Sequence, residues 1–124
     1  MKSVVTLLLI AFGGAIGALA RYGITILNRP GFPYGTLAVN FVGCFIMGLL
    51  ARWIEIGIAR SELRLFLGIG FLGALTTFST FSFDALRMFQ TNNIGIGLCY
   101  ILLTNIGCLA LVVSGYLLAR TVWG

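Results

Sequence analysis

Apolar residues fill four long stretches of this chain, and short polar punctuation separates them. The first stretch runs from about Val4 to Leu27 and ends at Asn28-Arg29-Pro30-Gly31-Phe32-Pro33, where two prolines break it. The second runs from about Gly35 to Ile54, and the polar turn after it holds Glu55, Arg60, Ser61, Glu62 and Arg64. The third runs from about Leu65 to Phe89 and closes at Gln90-Thr91-Asn92-Asn93; the fourth runs from about Ile94 to Val122. Each carries the roughly 20 apolar residues that cross a bilayer core. Runs such as VVTLLLIAF (4–12) and CYILLTNIGCLALVV (99–113) lack the period-two alternation of a barrel strand, so the spans are expected to be helices. Helices also keep every backbone N–H and C=O paired within hydrocarbon. The pattern predicts an all-α membrane protein, a single four-helix transmembrane domain over residues 1–124.

Composition agrees. Of 124 residues, 60% are hydrophobic and 9% charged, against about 25% charged in a typical soluble domain. Lys2, the apolar run after it and Ala18-Leu19-Ala20 imitate a secretory signal, but cleavage there would leave three further spans and no soluble product, so a retained first helix is expected. The net charge of +5 comes without a basic run or a stacking platform, which argues against nucleic acid and for lipid headgroups. Lys2, Arg52, Arg60, Arg64 and Arg120 fall on one membrane face, and Arg21, Arg29 and Arg87 on the other. Five against three is a weak bias for a rule that sets orientation, which allows insertion both ways and an antiparallel dimer.

Enzyme chemistry finds little material. There is no His, and Glu55, Glu62 and Asp84 are the only acids, too few for a carboxylate pair or a nucleophile with its base. Cys44, Cys99 and Cys108 lie in apolar spans without zinc-type spacing and read as small apolar residues. No GxxxxGK[ST] stretch suggests a nucleotide.

Polar residues within the spans carry the signal. Thr76-Thr77-Phe78-Ser79-Thr80-Phe81-Ser82 sets five hydroxyls around two phenylalanines. Thr36 and Asn40, and then Tyr100, Thr104 and Cys108, recur at four-residue steps and so share helix faces. Isolated Ser and Thr back-bond to helix carbonyls or join helices; stripes of this kind read instead as a polar track. Amide and hydroxyl donors and the positive edges of aromatic rings suit an anion, and no carboxylate is expected to line the track. Burying a carboxylate-sized ion costs on the order of 20 kcal/mol in an idealised dry interior, so lost water must be replaced by directed donors. One small chain can hardly enclose such a path, and an oligomer is expected. Gly13 and Gly17 form a GxxxG pair, and Gly68, Gly70 and Gly73 lead into the hydroxyl cluster, which predicts close packing and a helix break near Gly73–Thr80. Carbonyls freed by such a break can hold a cation.

Three segments resemble the Fluc fluoride channels, also called CrcB proteins: Gly73-Ala74-Leu75-Thr76-Thr77-Phe78-Ser79-Thr80-Phe81-Ser82, the second-helix run from Gly35 to Gly43, and the first-helix run from Gly13 to Tyr22. The resemblance spans the whole chain. It implies an antiparallel, dual-topology homodimer with two fluoride pathways, each built from both subunits. Phe78 and Phe81 would present ring edges to the ion, and Asn40 would donate its amide N–H beside Thr36. Ser79 and Thr80 would be further donors, and Tyr100 and Thr104 would match the fourth-helix track, with Cys108 standing where relatives carry a hydroxyl. A structural sodium at the dimer interface would be held by the backbone carbonyls of Gly73 and Thr76 from both subunits. Arg21 is expected to supply vestibule charge and to pair with Asp84, Arg87 being the competing partner. The function implied is passive export of toxic fluoride across a plasma membrane (the inner membrane in a Gram-negative cell). The competing readings are a small dual-topology multidrug antiporter, which lacks its first-helix acid here, and a structural membrane subunit.

Overall fold

The computed structural model describes residues 2–124, with Lys2 by its backbone alone. Its elements are α1 (Lys2–Thr25), α2 (Tyr34–Glu55), a third span Ser61–Gln90 made of two pieces, and α5 (Ile94–Trp123). The pieces of the third span are α3, residues 61–75, and α4, Phe78–Gln90. Among the described residues these give four spans long and apolar enough to cross a bilayer. The first ends two residues before the expected limit, where the Thr25 hydroxyl donates to the carbonyls of Arg21 and Tyr22 and consumes acceptors of the last turn. The third begins at Ser61, so Ser61, Glu62 and Arg64 are helical, and the turn shrinks to residues 56–60. Their charges stand at the span's end, where long side chains reach the headgroups.

Glycine sets the packing. A Cβ at Gly13 or Gly17 would collide with the carbonyls of Phe66 or Phe71, and one at Gly70 would stand 2.8 Å from the Ile10 carbonyl. α1 therefore lies backbone to backbone on α3, which is wound as a π-helix from Arg64 to Leu72. No feature of the sequence announces that winding.

α2 and α5 mesh the same way. A Cβ on Gly48 would strike the Val112 carbonyl, one on Gly115 the Phe45 carbonyl, and Gly107 receives the Phe41 ring. From Phe41–Gly107 through Gly48–Val112 to Trp53–Trp123 the contacts ascend along both helices, so α2 and α5 run parallel. At one end Trp53 meets Trp123 edge-on at 5.3 Å, Arg52 pairs with Glu55 at 2.9 Å and donates to the Gly124 carbonyl, and Tyr116 donates to Glu55 at 2.7 Å. Arg120 lies in the last turn of α5 at this end. Lys2 is expected on the same side, and its side chain lies outside the described residues. At the other end the loop 26–33 folds over α2 and α5. Asn28 Oδ1 accepts the N–H groups of Gly35 (2.6 Å) and Thr36 (3.3 Å), which caps α2 where Pro33 offers no side-chain bond.

Candidate functional site

The third span breaks at Thr76–Thr77, inside the window expected from sequence. Both residues are extended, with φ/ψ of −80°/150° and −152°/123°. In a continuous helix the Thr77 N–H would bond the Gly73 carbonyl; here it donates to Asn40 Oδ1 at 2.8 Å, while Asn40 Nδ2 donates to the Thr77 carbonyl at 3.3 Å. The Asn40 carboxamide thus stands in for a stretch of backbone, satisfies both groups of the interrupted residue, and keeps a second amide N–H spare. The Thr77 hydroxyl accepts the Thr80 N–H at 3.2 Å and bonds the hydroxyls of Ser79 and Thr80 at 3.2 Å each, so it caps α4. Ser79 and Thr80, expected as donors to an ion, are placed in this cap and outside the cleft lining.

A cleft of about 500 Å³ opens beside the break, lined by Asn40, Cys44, Gly73, Thr76, Thr77, Phe78, Phe81, Thr104, Asn105, Cys108 and Leu109. No charged side chain among the described residues lines it. Phe81 is buried, whereas Phe78 is 74% exposed at the open side. Their ring centroids lie 5.3 Å apart, and the Phe81 ring meets that of Tyr100 at 5.2 Å with a tilt of 45°.

The parallel helices resolve the two sequence stripes into one object. Thr36, Asn40 and Cys44 on α2 stand 64 residues before Tyr100, Thr104 and Cys108 on α5, and both sets step by four. Thr36 and Tyr100 both meet Asp84, Asn40 and Thr104 line the cleft together, and Cys44 neighbours Cys108, which makes a ladder of three rungs. Thr36 and Tyr100 are fully buried, Asn40 and Thr104 nearly so. The hydroxyls of Tyr100 and Thr104 are buried and make no hydrogen bond of ordinary geometry with the described residues. Buried polar atoms are seldom left so.

Asp84 corrects one expectation. It lies three residues after Phe81, which puts it on the same face of α4, and its carboxyl rests against Thr36 and Tyr100 with Arg87 near. A carboxylate therefore stands at the mouth of the track. Beyond it lies a second cavity of about 520 Å³, lined by Asn28, Arg29, Phe32, Asp84, Arg87 and Asn93 among others. Arg21 forms no ion pair with Asp84: Arg52–Glu55 is the one salt bridge among the described residues. Arg21 sits on the α1 side of the molecule, while Asp84 turns towards α2 and α5. The competing partner, Arg87, is the cation near the carboxylate, and Arg29 and Arg87 are the cations lining this vestibule.

The residues present suit a hard monovalent cation at the break. The Gly73 carbonyl loses its helical partner to the Asn40 bond, and neither it nor the Thr76 carbonyl receives a backbone N–H among the described residues. Both close a half-helix whose dipole ends negative there. Two oxygens per chain become four if a second copy faces them. No group of three or more Cys, Asp or Glu side chains gathers to hold a metal among the described residues.

Sequence reasoning missed Thr77 as the cap, Asn105 in the lining and Asp84 at the mouth. A threonine immediately before a helical run is a preferred N-cap, and that carried the first signal.

The family model described as "CrcB-like protein, Camphor Resistance (CrcB)" matches residues 8–116. Similar curated proteins include a fluoride-specific ion channel from Agrobacterium fabrum, 42% identical over 96% of this chain and 99% of its own length. One of the same name from Hahella chejuensis is 44% identical over 97% and 98%. A third, from Rhizobium etli, is 45% identical over 90% and 94%.

Proposed function

The chain belongs to the CrcB family, and from that premise we propose that it is a fluoride-selective channel of the plasma membrane. Relatives carrying that name match it from end to end. The observation that carries the reading is a pair of neutral donors with spare capacity, the second Asn40 N–H and the unpartnered Thr104 hydroxyl, in a cleft that no charged side chain among the described residues lines. A carboxylate there would hold water or a cation; a lysine would trap the anion. Neutral donors bind an anion firmly enough to replace its water and weakly enough to release it.

In this reading Arg29 and Arg87 gather fluoride in the vestibule, where clustered positive charge raises the local anion concentration at low ionic strength. The ion passes Thr36 and Tyr100, and the Phe81 ring separates that rung from the cleft. Phe78 and Phe81 turn positive ring edges to the anion while their faces exclude water. Asn40 and Thr104 then supply an N–H and an O–H. A hydrogen bond to a charged group is worth about 1.5–3 kcal/mol net, so several are needed along the path. Ser79 and Thr80 act through the cap that fixes Phe78 and Phe81, not as primary donors.

Assembly is part of the proposal. Phe78, largely exposed on one chain, lies on the open side of the cleft, and a second, oppositely inserted copy would close it. Two such copies make two pathways and bring the Gly73 and Thr76 carbonyls together around a sodium ion, which would supply positive charge that ties the broken helices together. Flow is passive, down the fluoride gradient. Purified protein in liposomes should release trapped fluoride to a fluoride electrode and retain chloride. Vesicles that hold both ions as tightly as empty ones would overturn the reading.

A further inference from the structure

The third rung of the ladder is chemically unlike the others. Cys44 and Cys108 come from helices locked in parallel register, face each other closely enough to interact directly, and both line the cleft that holds Asn40, Thr104 and the two phenylalanines. Both are free and partly accessible, while Cys99 is exposed elsewhere on α5. A thiol donates weakly to an anion, so this rung adds little to a pathway of hydrogen bonds. Two thiols on facing helices are the donor set preferred by a soft metal ion.

We infer that the Cys44–Cys108 rung is a two-coordinate site for soft, thiophilic cations such as Hg²⁺, and that its occupation closes the pathway. The inference rests on the channel reading for its consequence but not for the site. Two thiolates neutralise one divalent cation, so the bound complex carries no net charge and escapes the cost of burying an ion in hydrocarbon. Mercuric chloride, itself neutral, supplies the metal: each sulfur replaces one chloride on mercury, and two chlorides and two protons leave to water without change of oxidation state. The metal then bridges α2 and α5 in the cleft wall, next to the Asn40–Thr104 rung, in space the ion must use.

The test uses the full chain with Cys99→Ser, which removes the thiol outside the cleft. After mercuric chloride treatment, intact mass should show one mercury per chain with two protons lost, and both cysteines should resist alkylation by N-ethylmaleimide. In liposomes the same treatment should cut fluoride efflux at least tenfold, and dithiothreitol should restore it. Adding Cys44→Ser or Cys108→Ser should raise the mercury concentration for half-block at least tenfold, each variant read against its own untreated flux. Two mercury atoms per chain, none, or unchanged flux with mercury bound would each overturn the inference. So would a Cys44→Ser/Cys108→Ser variant blocked at the parent's midpoint. Absent flux before any mercury is added would sink the channel reading instead, while the mass and alkylation results would still decide the site.

Discussion

Replacing Asn40 by leucine tests the link between the helix break and conduction. Leucine has the same branching and number of side-chain heavy atoms as asparagine but no polar atom. Thr77 would then lose the partner of its N–H, now at 2.8 Å, and of its carbonyl, now at 3.3 Å. Each orphaned buried group costs about 1–3 kcal/mol, so the broken conformation weakens by about 2–6 kcal/mol. The cheapest escape is for the Thr77 N–H to return to the Gly73 carbonyl, which anneals the helix and removes an oxygen proposed for sodium. Fluoride also loses a donor worth about 1.5–3 kcal/mol, or about ten- to 150-fold in rate. Asn40→Leu should therefore lower the melting temperature in detergent and cut liposome fluoride efflux at least tenfold. Asn40→Asp keeps the acceptor for the Thr77 N–H but replaces Nδ2, the donor to the Thr77 carbonyl and to fluoride, by an oxygen, and should conduct as poorly as Asn40→Leu. Parental melting together with flux within twofold in Asn40→Leu would refute the reasoning.

Other residues give independent checks. Phe78→Ile and Phe81→Ile should each reduce efflux sharply while leaving the assembly intact on size exclusion; replacing Phe81, buried within the chain, should also lower thermal stability, and parental flux in both variants would remove them from the pathway. Thr77→Val deletes the cap of α4 and should cost about 1–2 kcal/mol, read as a lower melting temperature, with an unchanged melt counting against the cap. Gly48→Ala places a methyl against the Val112 carbonyl and should force α2 from α5, with loss of folded yield; a normal yield and melt would contradict the meshing. Arg87→Gln should slow efflux at low ionic strength, with the deficit shrinking as salt rises; a deficit independent of salt would dismiss its role in gathering the ion.

Much of this architecture is legible in the residues. Hydropathy yields four spans within a few residues, because a bilayer imposes one length and one polarity on each. Clustered Thr and Ser after glycine place the break, since both residue types favour leaving the helix. The four-residue steps of Thr36–Asn40 and Tyr100–Thr104–Cys108 reveal two stripes. They do not reveal that the stripes pair, because the offset between α2 and α5 depends on glycine contacts at Gly48, Gly107 and Gly115 that exist only in three dimensions. The same holds for the Asn40–Thr77 bond pair, the π-wound stretch and the choice of Arg87 over Arg21 beside Asp84. A short-range pattern specifies a helix face; which neighbour that face meets is a property of the packed molecule.

The parallel register of α2 and α5 also fixes a stride. Four residues of helix rise about 6 Å, so successive rungs recur at that interval, and three rungs cover about 12 Å of a hydrocarbon layer about 30 Å thick. A halide moving from the Thr36–Tyr100 rung to the Asn40–Thr104 rung would hop one helical turn, a spacing that no side-chain substitution can alter. Only sliding one helix past the other would retune it, and the interlocked glycines oppose that slide.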